Sequence, residues 1–144
     1  MNAALEEAKK AATREEVPIG AVLVDTKTGD IVAAHGNRTR EHHDPTSHAE
    51  ILCIREICEH NKAQRAPGYD LYVTLEPCAM CAAAISFARL NRVIFGASDP
   101  KGGGVIHGGK FYEQPTCHHK PEVAHGIMAD ECSQILKDFF KDKR

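Results

Sequence analysis

Residues 70–95 read DLYVTLEPCAMCAAAISFARLNRVIF, and this stretch decides the fold. Asp70 to Leu75 is an apolar run of strand length, Cys78 to Arg89 is long enough for a helix, and Arg92 to Phe95 is a second short apolar run. A strand, a helix and another strand in so few residues imply a parallel pair joined by a right-handed crossover. Upstream, Ile19 to Asp25 reads as a buried strand, Thr26 to Gly29 as a turn and Asp30 to His35 as the returning strand of a hairpin. Residues 2–15 form a predicted helix with Leu5, Ala8 and Ala12 on one face and Glu6 and Lys10 paired on the other; Val17-Pro18 ends it. Pro45 to His60 is the next, with the apolar stripe Ile51, Ile54, Ile57 and Cys58.

Downstream, Gly96 to Pro121 is rich in Gly, Pro, Lys and His and reads as a long functional loop with one short helix. Glu122 to His125 suits a short edge strand, and Met128 to Lys141 closes the chain as an amphipathic helix with Ala129, Cys132, Leu136, Phe139 and Phe140 in its apolar set. Strands alternating with helices give an α/β protein, a three-layer α/β/α sandwich around a mixed five-stranded sheet. At 144 residues the whole chain, 1–144, is expected to be one domain.

The bulk composition narrows the classes. No apolar run approaches the ~20 residues of a membrane span, and the N-terminus has no signal-peptide architecture, so the expectation is a soluble cytoplasmic protein. Six cysteines do not make a secreted disulfide framework in a domain this large. Cys53, Cys58, Cys117 and Cys132 read as small apolar residues in a reducing compartment. A formal net charge of −2 argues against a general nucleic-acid coat protein, so any nucleic-acid substrate needs a local patch.

The chemistry lies in two short motifs, His48-Ala49-Glu50 and Pro77-Cys78-Ala79-Met80-Cys81. At i,i+3 on the first turn of a helix the two thiols face the same side, and the helix N-terminus favours thiolates. Pro77 suits the start of that turn, where its missing N–H costs nothing. His48 falls in the first turn of the preceding helix, after the start signal Asp44-Pro45-Thr46-Ser47. One imidazole and two thiolates are one ligand short of a closed tetrahedral site, the pattern of a catalytic zinc that keeps its fourth position for water. Glu50 is then free to move that water's proton. The bland alternatives are a structural zinc half-site, for which His118-His119 is the nearest fourth-ligand candidate, and a capping box in which Glu50 reaches back to the Ser47 amide. Together the two motifs favour catalysis.

H-x-E followed by P-C-x-x-C is the known signature of zinc nucleobase deaminases. Beyond it, Glu16-Val17-Pro18-Ile19-Gly20-Ala21-Val22, Gly36-Asn37-Arg38, Leu71 to Cys78, Phe95 to Lys101, and the ending Ala129-Asp130-Glu131-Cys132 to Phe139-Phe140 resemble the bacterial tRNA adenosine deaminase family, of the zinc-dependent cytidine/deoxycytidylate deaminase superfamily. The resemblance runs from about Leu5 to the C-terminus. It implies a cytidine-deaminase-like fold, a homodimer, one Zn2+ per chain, and conversion of adenosine to inosine at the wobble position of the tRNA anticodon loop. His48, Cys78 and Cys81 match the metal ligands and Glu50 the catalytic proton shuttle. Asn37, Asp99, Lys101 and Phe140 match substrate contacts. The first helix begins a few residues late for the family, and residues 116–120 fall where the family varies, so His118 and His119 receive no role.

By themselves, Asn37 reads as a turn residue after Gly36, Lys101 as a phosphate contact or a solvated lysine on a flexible glycine loop, and Phe139 as core. The alternative enzyme is a small-molecule deaminase of guanine or cytosine using the same zinc. A structural zinc domain is the non-enzymatic alternative, and a zinc hydrolase of another amide or amidine bond comes last.

Overall fold

The computed structural model describes residues 1–143. Its elements are α1 (Asn2–Thr13), β1 (Gly20–Asp25), β2 (Ile31–Gly36), α2 (Ala49–Asn61), β3 (Tyr69–Leu75), α3 (Ala79–Phe87), β4 (Arg92–Ala97), a 3-10 turn at Phe111–Glu113, β5 (Glu122–His125) and α4 (Ala129–Asp142). The strands form one mixed sheet in the order β2-β1-β3-β4-β5. β1 runs antiparallel to both β2 and β3, while β3, β4 and β5 are mutually parallel. The expected hairpin, crossover and edge strand are all present.

The sheet is sandwiched because alternate residues on its strands feed different helices. Leu71, Val73, Val93 and Phe95, all fully buried, pack with Cys53 and Ile57 of α2 and Ala82 and Ile85 of α3. On the other face α1 lies flush against the hairpin through Ala4, Ala8 and Ala11, each 0% exposed. Glycine permits that approach: a Cβ on Gly20 would stand 2.0 Å from the Ala4 carbonyl oxygen, and one on Gly36 2.7 Å from that of Glu7. α4 completes this layer, its Cys132 and Ile135 meeting Leu5, Leu75 and Ala97. Ile135, absent from the apolar set read from sequence, thus belongs to the packed face, while Phe140 is 47% exposed. No helix among the described residues is long and apolar enough to cross a membrane.

The topology positions the site. β2, β3 and β4 point the same way, so the residues that follow them, Asn37, Glu76 and Asp99, emerge at one edge of the sheet. In open α/β sheets ligands bind beyond the carboxyl ends of the strands.

Candidate active site

Two helix N-termini meet at that edge. His48 is the N-cap residue of α2 and Cys78 that of α3, both in extended backbone. Each helix therefore starts later than the sequence suggests. Over 44–47 the chain forms a turn, because Asp44 accepts from the Thr46 amide (2.8 Å) and hydroxyl (2.7 Å) and from the Ser47 hydroxyl (3.0 Å). These donors, the Thr46 hydroxyl foremost, pull the Asp44 carboxyl down to about 2. Pro77 lies outside its helix, and its carbonyl accepts the Gly104 amide at 2.8 Å. The capping box is absent: the Ser47 amide donates to the Asp44 carbonyl, not to Glu50.

Instead, the first amide of α2 is capped by the residue that follows β2. The Asn37 Oδ1 accepts the Ala49 N–H at 2.8 Å, and Asn37 is only 5% exposed. Replacing such a cap by Ala costs about 1 kcal/mol. Asn37→Ala is therefore expected to lower the unfolding free energy by that amount, seen as a lower urea midpoint at unchanged m-value, and Asn37→Asp, which keeps the acceptor, by less. An unchanged midpoint in Asn37→Ala would show that the bond contributes nothing.

The His48 Nδ1 lies 3.6 Å from the Cys78 Sγ and 3.4 Å from the Cys81 Sγ. All three donor atoms fall within 4.8 Å of one another, the one such group among the described residues. A tetrahedral zinc with sulfur at about 2.3 Å and nitrogen at about 2.0 Å separates those ligand atoms by about 3.6 Å, so the donors fit the ion. The six cysteines are all free thiols. The Cys78 thiol is held down to about 4 by hydrogen bonds, first from Cys81 and then from His48. Cys81 is pushed up by the Cys78 sulfur and by burial, and His48 is raised chiefly by its bond to Cys78. The group thus holds protons that a dication displaces, which makes its affinity pH-dependent.

Glu50, in the first turn of α2, is 4% exposed, and burial raises its pKa. It lies beside the donor set without belonging to it. Among the described residues no fourth protein ligand joins: the His119 Nε2 is bonded instead to the Leu90 carbonyl oxygen at 2.7 Å.

Asp99, Lys101 and Phe140 come together on a cleft of about 960 Å³ whose wall also includes Val17, Leu136 and Lys137. The glycines after Lys101 are not a flexible run. Gly103 and Gly104 are buried, and a Cβ on Gly104 would meet the Ala79 backbone at 2.7 Å. They let the loop lie against the turn that carries Cys78. The cleft does not include His48, Glu50, Cys78 or Cys81 in its lining, and Asn37 stands apart from it at the start of α2. Sequence reasoning missed Glu16, which is 1% exposed and accepts the Arg40 and Glu41 amides, and Glu76, buried between the cleft and the metal-binding turn.

A three-layer sandwich with one histidine, two cysteines and a buried glutamate at the carboxyl edge of its sheet defines a zinc-type deaminase, and residues 1–97 match the cytidine and deoxycytidylate deaminase zinc-binding region. The tRNA-specific adenosine deaminase of Agrobacterium fabrum is 58% identical over the whole chain and 93% of its own length. That of Bacillus subtilis is 42% identical, again over the whole chain, and 88% of its own length. A structure solved in a study of A-to-I editing by tRNA:A34 deaminases at the wobble position superposes with a TM-score of 0.91 at 58% identity, covering 94% of this chain and 97% of that one. The guanine deaminase of Nitrosomonas europaea shares the fold at a TM-score of 0.81 and 17% identity, covering 96% of this chain and 81% of that one. This chain belongs to the tRNA-specific adenosine deaminase family, and it is a deaminase.

Proposed function

We propose that this chain, as one deaminase domain, converts adenosine at the wobble position of tRNA to inosine, with His48, Cys78 and Cys81 holding one Zn2+ and Glu50 moving the protons. The observation that carries the reading is a three-donor group at zinc spacing beside a buried carboxylate that is not one of the donors. Zinc supplies, when bound, a Lewis acid that makes water nucleophilic at neutral pH.

The rest is the work of side chains. Glu50 accepts a proton from the attacking water and delivers it to adenine N1 as water adds at C6. A second proton passes through Glu50 to the departing amino group, so adenosine and water give inosine and ammonia. Burial suits this residue, since raising the pKa of a carboxyl makes it a better proton acceptor than an exposed one. The target base must first leave its stack, at a cost of a few kcal/mol that an unpaired loop keeps low. Asn37, fixed through its Oδ1, presents its amide nitrogen as a donor to the nucleoside. Lys101 meets a neighbouring phosphate, Asp99 orders the Lys101 turn by accepting its amide at 3.1 Å, and exposed Phe140 offers a stacking face for a loop base.

With tRNA as substrate, we read the enzyme as cytoplasmic, and as a homodimer in keeping with the family resemblance. Phe87, 66% exposed at the end of α3, is apolar surface of the kind a second copy covers. Purified protein incubated with an anticodon stem-loop carrying a wobble adenosine is expected to raise the RNA mass by about 1 Da, an amine replaced by oxygen. Guanine and cytosine, run in parallel, are expected to remain unchanged. Turnover of either free base with none on the RNA would replace this reading with a small-molecule deaminase.

A further inference from the structure

Glu76 follows the last residue of β3 and precedes Cys78 by two positions, yet it is not one of the metal-binding donors. Its side chain is fully buried and is surrounded by donors. Oε2 accepts three successive amides, Val105 at 3.2 Å, Ile106 at 2.9 Å and His107 at 3.1 Å. Oε1 accepts the Asp99 amide at 2.9 Å and pairs with the His107 Nδ1 at 2.8 Å. The Glu76 amide in turn donates to the Ala97 carbonyl at 2.8 Å. One carboxylate thus ties both ends of the 99–107 loop to the strand that leads into the metal-binding turn.

A buried carboxylate is a costly way to fill space, because burying its charge is unfavourable unless every lone pair is met. The partners here are four backbone amides and one imidazole, all from the 99–107 segment that carries Asp99 and Lys101. We propose that Glu76 is a positioning residue for substrate RNA: it holds the Asp99–Lys101 turn in fixed relation to the His48, Cys78 and Cys81 donors. This rests on the reading of Lys101 as an RNA contact. It assigns to Glu76 no proton transfer and no contact with the reacting atoms.

The two oxygens have different duties, and that makes the idea testable. In Glu76→Gln the remaining oxygen keeps the three amides of residues 105–107, while the new NH2 group faces the Asp99 N–H donor to donor. His107 adapts by accepting at Nδ1 in its other tautomer. Only the Asp99 link is lost. A second route disturbs the whole carboxylate without altering Glu76: a Cβ on Gly103 would stand 2.3 Å from the Glu76 carboxyl carbon, 2.4 Å from its Oε2 and 2.6 Å from the Asp99 carbonyl oxygen, so Gly103→Ala displaces the carboxylate from the loop.

Steady-state kinetics on the wobble-adenosine stem-loop, with zinc measured on each protein, decide the matter. Glu76→Gln and Gly103→Ala are each expected to raise KM about tenfold with kcat within about threefold and one zinc per chain. Lys101→Ala alone is expected to raise KM about fivefold. In the double variant Glu76→Gln/Lys101→Ala, KM should match that of Glu76→Gln within about twofold, since a lysine on a released turn no longer contributes. A merely structural Glu76 leaves the two effects independent, so a double variant near fiftyfold overturns the proposal, as does loss of zinc or a purely kcat effect in both Glu76→Gln and Gly103→Ala. If Lys101→Ala leaves KM unchanged, the RNA-contact reading fails first and takes the proposal with it.

Discussion

Glu50→Gln is expected to cut turnover of a wobble-adenosine stem-loop by about 10²- to 10⁴-fold, the usual worth of a positioned acid-base group, while the protein keeps its zinc. The amide has the size of the carboxyl and keeps an acceptor, but it takes no proton from water. Zinc content should not change, because Glu50 lies outside the three-donor group. Stability should not fall either. Glu50 is 4% exposed and burial already disfavours its charged form, so a neutral amide relieves a cost. Loss of rate with metal and fold intact is the mark of a proton carrier. Near-normal turnover would remove Glu50 from the mechanism.

Cys78→Ala should have the opposite profile, losing metal, activity and stability together. Two of the three donors cannot hold a zinc that the third completes, and Cys78 is the sulfur that stands as a thiolate at neutral pH. The metal ties α2 to α3 through residues 30 and 33 positions from His48, so its binding energy counts toward the folded state. A ligand present at 100 times its dissociation constant stabilises by about 2.7 kcal/mol, and tighter zinc by more. Thermal unfolding of zinc-loaded wild type should therefore drop by several degrees in chelator, and Cys78→Ala should start low and ignore the chelator. A variant that retained stoichiometric zinc would remove Cys78 from the donor set.

Much of this was legible in the sequence because the signals are local. Apolar runs of four to seven residues marked the strands from Ile19 to Phe95, and the crossover followed from the helix between two of them. The spacing of His48, Glu50, Cys78 and Cys81 named the metal-binding group before its convergence was visible. Helix starts were read too early because Asp44 and Pro45 look like a cap, whereas the Asp44 carboxylate closes a turn on Thr46 and Ser47 instead. The true cap of α2 comes from Asn37, 12 positions away, and no local pattern announces it. Glu76 was silent for the same reason, its partners standing 23 to 31 positions along the chain. The glycines at 103 and 104 misled in another way. Composition suggests flexibility, but here a missing Cβ serves close packing.

Zinc K-edge X-ray absorption on the purified protein tests the centre of this account most directly. One zinc per chain with two sulfurs at about 2.3 Å, one histidine nitrogen and one further light atom that exchanges with solvent is the expected result. A fourth protein side chain on the ion, or a metal-free protein with Cys78 and Cys81 joined in a disulfide, would contradict it.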